Sequence, residues 1–186
     1  TAAQHYEKAL ELNPGNAAAH FNFGTLLLSG NMLDEAESQL SEAFQLEPQN
    51  AEFCNALGNL HAARRDLPNA EKFYRRALEL SPDLAEAHGN LGNVLMQLPR
   101  VAAAVVQFRR ALELRPELDG TRADLENALA LQAEIEAAIA SAVQAVEQSG
   151  GRNVGTLMSL ADTYASAGQI DDALATAQRA LTLARE

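Results

Sequence analysis

Apolar residues recur at intervals of three and four along short stretches of this chain, which is the spacing that places side chains on one face of an α-helix. One stretch carries Phe53, Leu57 and Leu60, and a second begins with Leu67 and Ala70. A short polar break separates the two. Two amphipathic stretches joined in this way predict a helical hairpin whose apolar faces pack on each other.

The hairpin pattern repeats with a period of 34 residues. Prolines, which end helices because they lack a backbone N–H, stand at this interval, and so do glycines and alanines in other phases: Pro14, Pro48, Pro82 and Pro116; Gly24, Gly58 and Gly92; Ala36, Ala70, Ala104 and Ala138. The period predicts an all-α array of about eleven helices. We place first helices near 17–29, 51–64, 85–97, 119–132 and 154–167, second helices near 33–46, 67–80, 101–114, 134–149 and 169–185, and an unpaired helix near 2–13.

The repeated glycines lie inside predicted helices, where glycine costs about 1 kcal/mol relative to alanine. A close approach of the two helices of each hairpin would compensate for that cost. We expect the alanines at 36, 70, 104 and 138 to lie opposite the glycines, where their small side chains leave room for the second helix to come close.

The residues of one unit resemble a known family. A small residue in the first helix, then Ala70, Tyr74 and the run Ala77-Leu78-Glu79-Leu80-Ser81-Pro82, is similar to the tetratricopeptide repeat. The resemblance implies a right-handed α-solenoid whose first helices line a concave groove. It divides the chain into half a repeat at 1–16, regular repeats at 17–50, 51–84 and 85–118, an irregular repeat at 119–153 and a closing repeat at 154–186.

The unit at 119–153 departs from the pattern. Glu126 replaces the glycine, Ala142 replaces the aromatic residue, and no glycine or proline separates the two predicted helices near Gln132. Gly150 and Gly151 stand in place of the terminating proline, and the next unit is displaced by one residue. We expect the curvature or hairpin geometry to change here.

The residues of the first helices that point away from their hairpin partners are rich in asparagine. Their amides recur at 34-residue steps, so they predict a ladder along the groove, and an amide suits a polypeptide backbone because it both donates and accepts hydrogen bonds. The resemblance extends to the tetratricopeptide region of O-linked N-acetylglucosamine transferase, where such ladders grip polypeptide backbone. The predicted peptide-binding residues are Phe21, Asn22, Asn55, Asn59, Asn90, Asn93, Met96, Asp124 and Asn127.

Two other interpretations of the asparagines stay open. They could simply be solvated or form hydrogen bonds between helices. They could also belong to a carboxylate clamp like that of chaperone-binding members of the family, but such a clamp needs lysines, and this groove has none and contains Asp124 and Asp162. A neutral or basic peptide is therefore favoured over an acidic one.

Charge and composition argue against several other functions. A net charge of −11 disfavours nucleic acid. The histidines and the single cysteine, Cys54, occupy packing positions of the repeat and form no catalytic or metal-binding motif, so we expect no enzyme activity, metal or cofactor. The longest apolar run, Val101–Val106, is too short to span a bilayer, and we expect a soluble, cytoplasmic protein without membrane insertion.

The sequence therefore predicts a non-catalytic scaffold that binds an extended polypeptide in its groove. Two alternatives remain. The array could recruit substrates for a larger enzyme, such as a glycosyltransferase, whose catalytic domain lies outside this segment. It could also self-associate through the helix near 2–13, which exposes Tyr6, Ala9 and Leu10.

Overall fold

A computed structural model describes residues 2–185, which form ten α-helices and no strand. The first seven follow the repeat closely: α1 (Ala2–Leu12), α2 (Ala17–Ser29), α3 (Leu33–Leu46), α4 (Ala51–Ala63), α5 (Leu67–Leu80), α6 (Ala85–Gln97) and α7 (Val101–Leu114). The remaining three are α8 (Thr121–Gln148), α9 (Val154–Ser166) and α10 (Ile170–Leu183). The predicted all-α solenoid is confirmed.

Four hairpins form this solenoid: α2–α3, α4–α5, α6–α7 and α9–α10. Helix α1 has no hairpin partner and packs on α2, with the ring of Tyr6 stacked 6.0 Å from that of Phe23. Ala3 and Leu10 pack against the same core cluster. The apolar face of α1 that we considered for self-association is thus turned towards α2.

Side-chain caps fix the start of several helices. The side-chain carbonyls of Asn16, Asn50 and Asn153 accept hydrogen bonds from backbone N–H groups in the first turns of α2, α4 and α9 at 3.0, 3.1 and 3.2 Å. Asp66 has the same role for α5, where Pro68 occupies the first turn and needs no hydrogen bond. Outside the unit at 119–153, the predicted helix boundaries agree with the structure within two residues.

The partner of the repeated glycines is not the one we predicted. Each glycine faces a large side chain 16 positions later, and a Cβ added to the glycine would come within 2.5–2.7 Å of that side chain. The alanines at 36, 70 and 104 are fully buried but provide none of the atoms nearest to the added Cβ, and Ala138 is exposed. The glycine therefore makes room for a large core residue. The three pairs are Gly24 with Leu40, Gly58 with Tyr74 and Gly92 with Phe108.

The unit at 119–153 does not form a hairpin. Our prediction of two helices, 119–132 and 134–149, is wrong, because one continuous helix of 28 residues runs from Thr121 to Gln148. The physical reason is local: alanine favours the helix, and neither glycine nor proline interrupts it between Gly120 and Gly150, which have φ angles of 76° and 73°. The first half of α8 packs on α7 and the second half on α9.

By length and composition alone, α8 could cross a membrane, and it is the one helix among residues 2–185 of which this is true. The short run that we considered from the sequence, Val101–Val106, belongs instead to α7. Near the middle of α8 stand Glu134 and Glu136, both exposed. Carboxylates at that depth oppose insertion into hydrocarbon.

An ion-pair network ties α5 to α7. The Glu71 carboxylate accepts hydrogen bonds from Arg75 at 2.8 Å and from Arg100 at 2.7 Å, and its side chain is only 16% exposed. Burial by itself would raise the pKa of Glu71, but the two guanidinium groups outweigh it and hold the pKa below its ordinary value.

The lowered pKa of Glu71 predicts a loss of stability in acid. A carboxyl group whose pKa is lower in the folded chain stabilises the fold above its unfolded pKa of about 4.3, and this contribution disappears as the pH falls through the folded pKa. The free energy of unfolding in urea should therefore decline more between about pH 6 and pH 3 in the wild-type chain than in Glu71→Gln. Equal declines in the two proteins would contradict this role.

Candidate functional site

A cavity of about 220 Å³ opens where α4, α6 and the start of α8 adjoin. It is smaller than the sites that hold whole small-molecule ligands, so it fits one or two side chains of a larger ligand. Its lining is polar and comes from first helices of successive units and from the loop before α8: Asn55, Asn59, Glu86, Gly89, Asn90, Asn93, Leu118, Asp119, Thr121 and Asp124.

Three of the predicted asparagines form a network in the wall of this cavity. The Nδ2 of Asn90 donates to the Oδ1 of Asn59 at 3.0 Å and to the Oδ1 of Asn55 at 3.3 Å. The Oδ1 of Asn59 also accepts from the buried hydroxyl of Tyr74 at 2.7 Å. Burial raises the pKa of Tyr74, so this hydroxyl stays a neutral donor. The network holds the amides in fixed orientations between α4, α5 and α6.

The same network leaves hydrogen-bonding capacity unused. Within residues 2–185, the Nδ2 groups of Asn55 and Asn59 donate to no other group, and the side chain of Asn93 makes no hydrogen bond. Asn93 is exposed and lines the cavity beside them. These amides can therefore bind a peptide backbone without breaking the existing contacts.

The other predicted site residues lie outside this cavity. Asn22 on α2 and Asn127 on α8 are exposed to solvent. Phe21 is half-buried, and its ring stacks 4.8 Å from that of Phe53. Met96 packs against the core beneath α6. The structure thus brings together Asn55, Asn59, Asn90, Asn93 and Asp124 and leaves the remaining four in separate places.

The sequence did not point to Glu86 or to the loop residues Leu118 and Asp119 as part of the cavity. Glu86 lies in the first turn of α6 and pairs with Arg115, while its second carboxylate oxygen is buried and has no hydrogen-bond partner among the described residues. Asp119 precedes α8, and neither it nor Asp124 forms an ion pair with the described part of the chain. Arg115 and Glu86 are 29 positions apart in the chain. Helical spacing within one helix gives no information on such a pair, because the two residues belong to different elements.

His20, His88 and Cys54 have structural contacts that account for them. His20 and His88 repeat one arrangement, in which the ring bonds a glutamine side chain of the second helix at 2.8 Å and the carbonyl of the preceding proline. Cys54 is buried, and burial raises the pKa of its thiol, which makes it a poor nucleophile. No group of metal-binding side chains occurs within residues 2–185.

A second hollow, of about 410 Å³, lies on α3 and α5 and is lined by Phe44, Lys72, Phe73, Arg76 and Glu79. It is larger than the asparagine cavity but contains none of the predicted site residues. Phe44 and Phe73 meet edge to face there, with ring centroids 6.1 Å apart. We therefore regard this hollow as the contact region between the second helices α3 and α5.

Comparison with known proteins identifies the repeats. Family models described as tetratricopeptide repeat match residues 1–60, 55–119 and 154–186. No curated protein sequence matches the chain. Residues 120–153, which contain the continuous helix α8, lie between the matched segments.

Solved structures of repeat proteins resemble the fold over different parts of the chain. YrrB, described as a TPR protein with an unusual peptide-binding site, is 24% identical, covers 97% of this chain and 93% of its own, and has a TM-score of 0.64. The first TPR of Spaghetti (RPAP3), bound to an HSP90 peptide, is 19% identical over 63% of this chain and 93% of its own, with a TM-score of 0.60.

A third similar structure is larger than this chain. The O-GlcNAc transferase of Thermobaculum terrenum is 30% identical over 61% of this chain, with a TM-score of 0.58. That match covers only 22% of the transferase.

Proposed function

Because the chain belongs to the tetratricopeptide repeat family, we propose that it is a non-catalytic scaffold that binds an extended polypeptide in its groove. The groove is lined by α2, α4, α6 and the first half of α8. The observation that carries the proposal is the network of Asn55, Asn59 and Asn90, which fixes the amides of three residues that line the cavity. Preorganised amides bind a backbone at a low entropic cost.

The charge of the cavity favours a neutral or basic peptide. Asp119 and Asp124 line it without a basic partner among the described residues, and the only guanidinium beside Glu86 is that of Arg115. No lysine lines the cavity. An acidic peptide would place like charges together, whereas a lysine or arginine side chain would pair with these carboxylates.

We expect Asn93→Ala combined with Asn127→Ala to weaken peptide binding. Each lost hydrogen bond costs about 1 kcal/mol, so the double variant should bind roughly thirtyfold more weakly. Asn59 is left in place because its loss would also leave the Tyr74 hydroxyl without its acceptor. Binding would be measured by fluorescence anisotropy with short unstructured peptides that carry basic, neutral or acidic side chains.

Gln178→Ala provides the control, since it removes an exposed amide from α10, far along the chain from the groove. Its affinity and its thermal unfolding should match those of the wild type. If the double asparagine variant binds as tightly as this control, Asn93 and Asn127 do not hold the peptide and the predicted asparagine ladder is wrong. Tighter binding of acidic than of basic peptides would contradict the proposed charge preference.

A second candidate function is substrate recruitment for an enzyme on a longer natural chain. The similarity to the O-GlcNAc transferase over 61% of this chain favours it. An open reading frame that continues from this segment into a glycosyltransferase domain would support it. A frame without any catalytic domain would exclude it and leave the scaffold function intact. In either case we place the array in the aqueous phase, because Glu134 and Glu136 oppose insertion of α8.

A further inference from the structure

The asparagine cavity includes a place where aromatic rings pack earlier in the array. Between the first two units, the ring of Phe21 on α2 stacks 4.8 Å from that of Phe53 on α4. Two periods of 34 residues later, the equivalent positions are Gly89 on α6 and Thr121 on α8, and both residues line the cavity. A glycine and a threonine thus replace the stacked pair, and the space that the rings would fill belongs to the cavity.

Thr121 contributes an unpaired hydroxyl to this space. The residue is only 4% exposed, and its side chain makes no hydrogen bond within residues 2–185. Its Oγ1 lies towards Gly89, because a Cβ added to that glycine would be 3.4 Å from this oxygen and 3.4 Å from the Cδ2 of Leu118. A buried hydroxyl without a partner costs free energy. A ligand that forms a hydrogen bond with Thr121 would remove this cost.

Two carboxylates stand beside the hydroxyl. Asp124 is half-buried and follows Thr121 by three positions, so the two side chains are neighbours on one face of α8. Asp119, in the loop before α8, is exposed, and neither aspartate forms an ion pair with the described part of the chain. We call this part of the cavity the α6–α8 slot: Gly89, Leu118, Asp119, Thr121 and Asp124.

The charge of the α6–α8 slot is negative. The guanidinium of Arg115 is paired with Glu86 and does not neutralise the aspartates. The N-terminus of α8 contributes about half a positive charge, which the two full negative charges of Asp119 and Asp124 exceed. The slot therefore favours a cation and opposes an anion.

We propose that the α6–α8 slot binds one basic side chain, lysine or arginine, of the polypeptide in the groove. This inference rests on the proposed function and adds a residue preference at one position of the ligand. The methylene stem packs on Gly89 and Leu118, and the cationic group donates to the Thr121 hydroxyl and the Asp124 carboxylate. The cavity, of about 220 Å³, has room for one such side chain.

The same slot fixes the register of the bound peptide. Between the first two units its place is taken by Phe21 and Phe53, and between the next two the equivalent residues are Asn55 and Ala87. Of the three residues in the first-helix position, Gly89 alone has no side chain. A basic residue of the ligand is therefore accepted at this one step of the array.

The test compares fluorescent peptides of glycine, serine and alanine that differ only in one central residue: lysine, arginine, norleucine or glutamate. Norleucine has the stem of lysine without its charge, so it isolates the contribution of the ammonium group. Fluorescence anisotropy with the full chain should show the lysine and arginine peptides binding at least about tenfold more tightly than the norleucine peptide. The glutamate peptide should bind most weakly.

Three variants assign this preference to the slot. Thr121→Val and Asp124→Asn nearly keep the size of the side chain and should each reduce the preference for lysine over norleucine about fivefold. Gly89→Leu fills the slot and should abolish the preference. Asp162→Asn is the matched control, because it removes an exposed carboxylate from α9 outside the cavity and should keep the full preference. Circular dichroism would show that all four variants keep their helices.

A probe without a peptide backbone separates the slot from the rest of the groove. n-Butylammonium has the stem and the charge of a lysine side chain. Its titration, followed by nitrogen–proton correlation NMR, should shift the backbone amide signals of Gly89 and Thr121, whereas butanol at the same concentrations should not. Asn93→Ala combined with Asn127→Ala should leave this titration unchanged, although it weakens peptide binding.

Equal affinities of the lysine and norleucine peptides would overturn the slot and leave peptide binding by the groove in place. Equal NMR shifts with butanol and n-butylammonium would also overturn it, and so would a lysine preference that survives Gly89→Leu. A lysine preference that persists while the double asparagine variant binds peptides as tightly as the wild type would support the slot and contradict the asparagine ladder.

Discussion

Replacing Gly92 by alanine should destabilise the array by up to about 2 kcal/mol, although alanine is the better helix former. The added Cβ would lie 2.5 Å from the ring of Phe108, which is completely buried and cannot move aside. Overpacking of this kind costs about 1–3 kcal/mol, and it outweighs the gain in helix propensity of about 1 kcal/mol. Urea denaturation followed by circular dichroism would measure the change.

Gly89→Ala is the matched control on the same helix. A Cβ at Gly89 would come no closer than 3.4 Å to Leu118 and Thr121, so the variant should be neutral or slightly stabilised. Phe108→Leu should partly rescue Gly92→Ala, because it removes the ring atoms that would lie 2.5 Å from the added Cβ. If Gly92→Ala is as stable as Gly89→Ala, close packing is not the reason for the repeated glycine.

Leu157→Ala should unfold the closing hairpin while leaving the earlier ones folded. Leu157 is fully buried in a core cluster with Val146, Leu160 and Ala180, and no residue of this cluster belongs to the cluster around Phe108. A buried leucine replaced by alanine costs about 2–5 kcal/mol, which is enough to open a single terminal unit of a repeat array. Amide hydrogen exchange should lose protection in α9 and α10 and keep it in α4 to α7.

Leu91→Ala is the reciprocal variant. Leu91 is 1% exposed in the cluster formed by α5 to α8, so its loss should reduce protection in α6 and α7 first. Uniform loss of protection over the whole chain in both variants would mean that α8 couples the two clusters into one cooperative unit.

The sequence was sufficient to predict the hairpins because their signals are local. Pro48, Pro82 and the capping asparagines end and begin helices through groups within a few residues, so the boundaries were predicted closely. The continuous helix α8 was not predicted, since the period suggested a break near Gln132 that no glycine or proline provides. In that unit the residues favour one continuous helix, although the 34-residue period predicts two helices.

The residues that line the cavity were predictable only in part. Helical spacing placed Asn55, Asn59 and Asn90 on one side of their helices, and the structure joins them by hydrogen bonds. Spacing could not reveal that Tyr74 reaches Asn59 from the second helix, or that Asp119 approaches from the loop before α8. Those contacts depend on how successive units stack, which no single helix encodes.

The continuity of α8 also bears on the length of peptide that the proposed groove would accept. Neighbouring first helices lie about 8–10 Å apart, and an extended chain advances about 3.3 Å per residue, so each helix spans about three residues of a bound peptide. Because α8 continues as one helix instead of turning back, the regular series of first helices consists of α2, α4, α6 and the first half of α8. If the proposed groove binds an extended peptide, these four helices would protect roughly twelve of its residues.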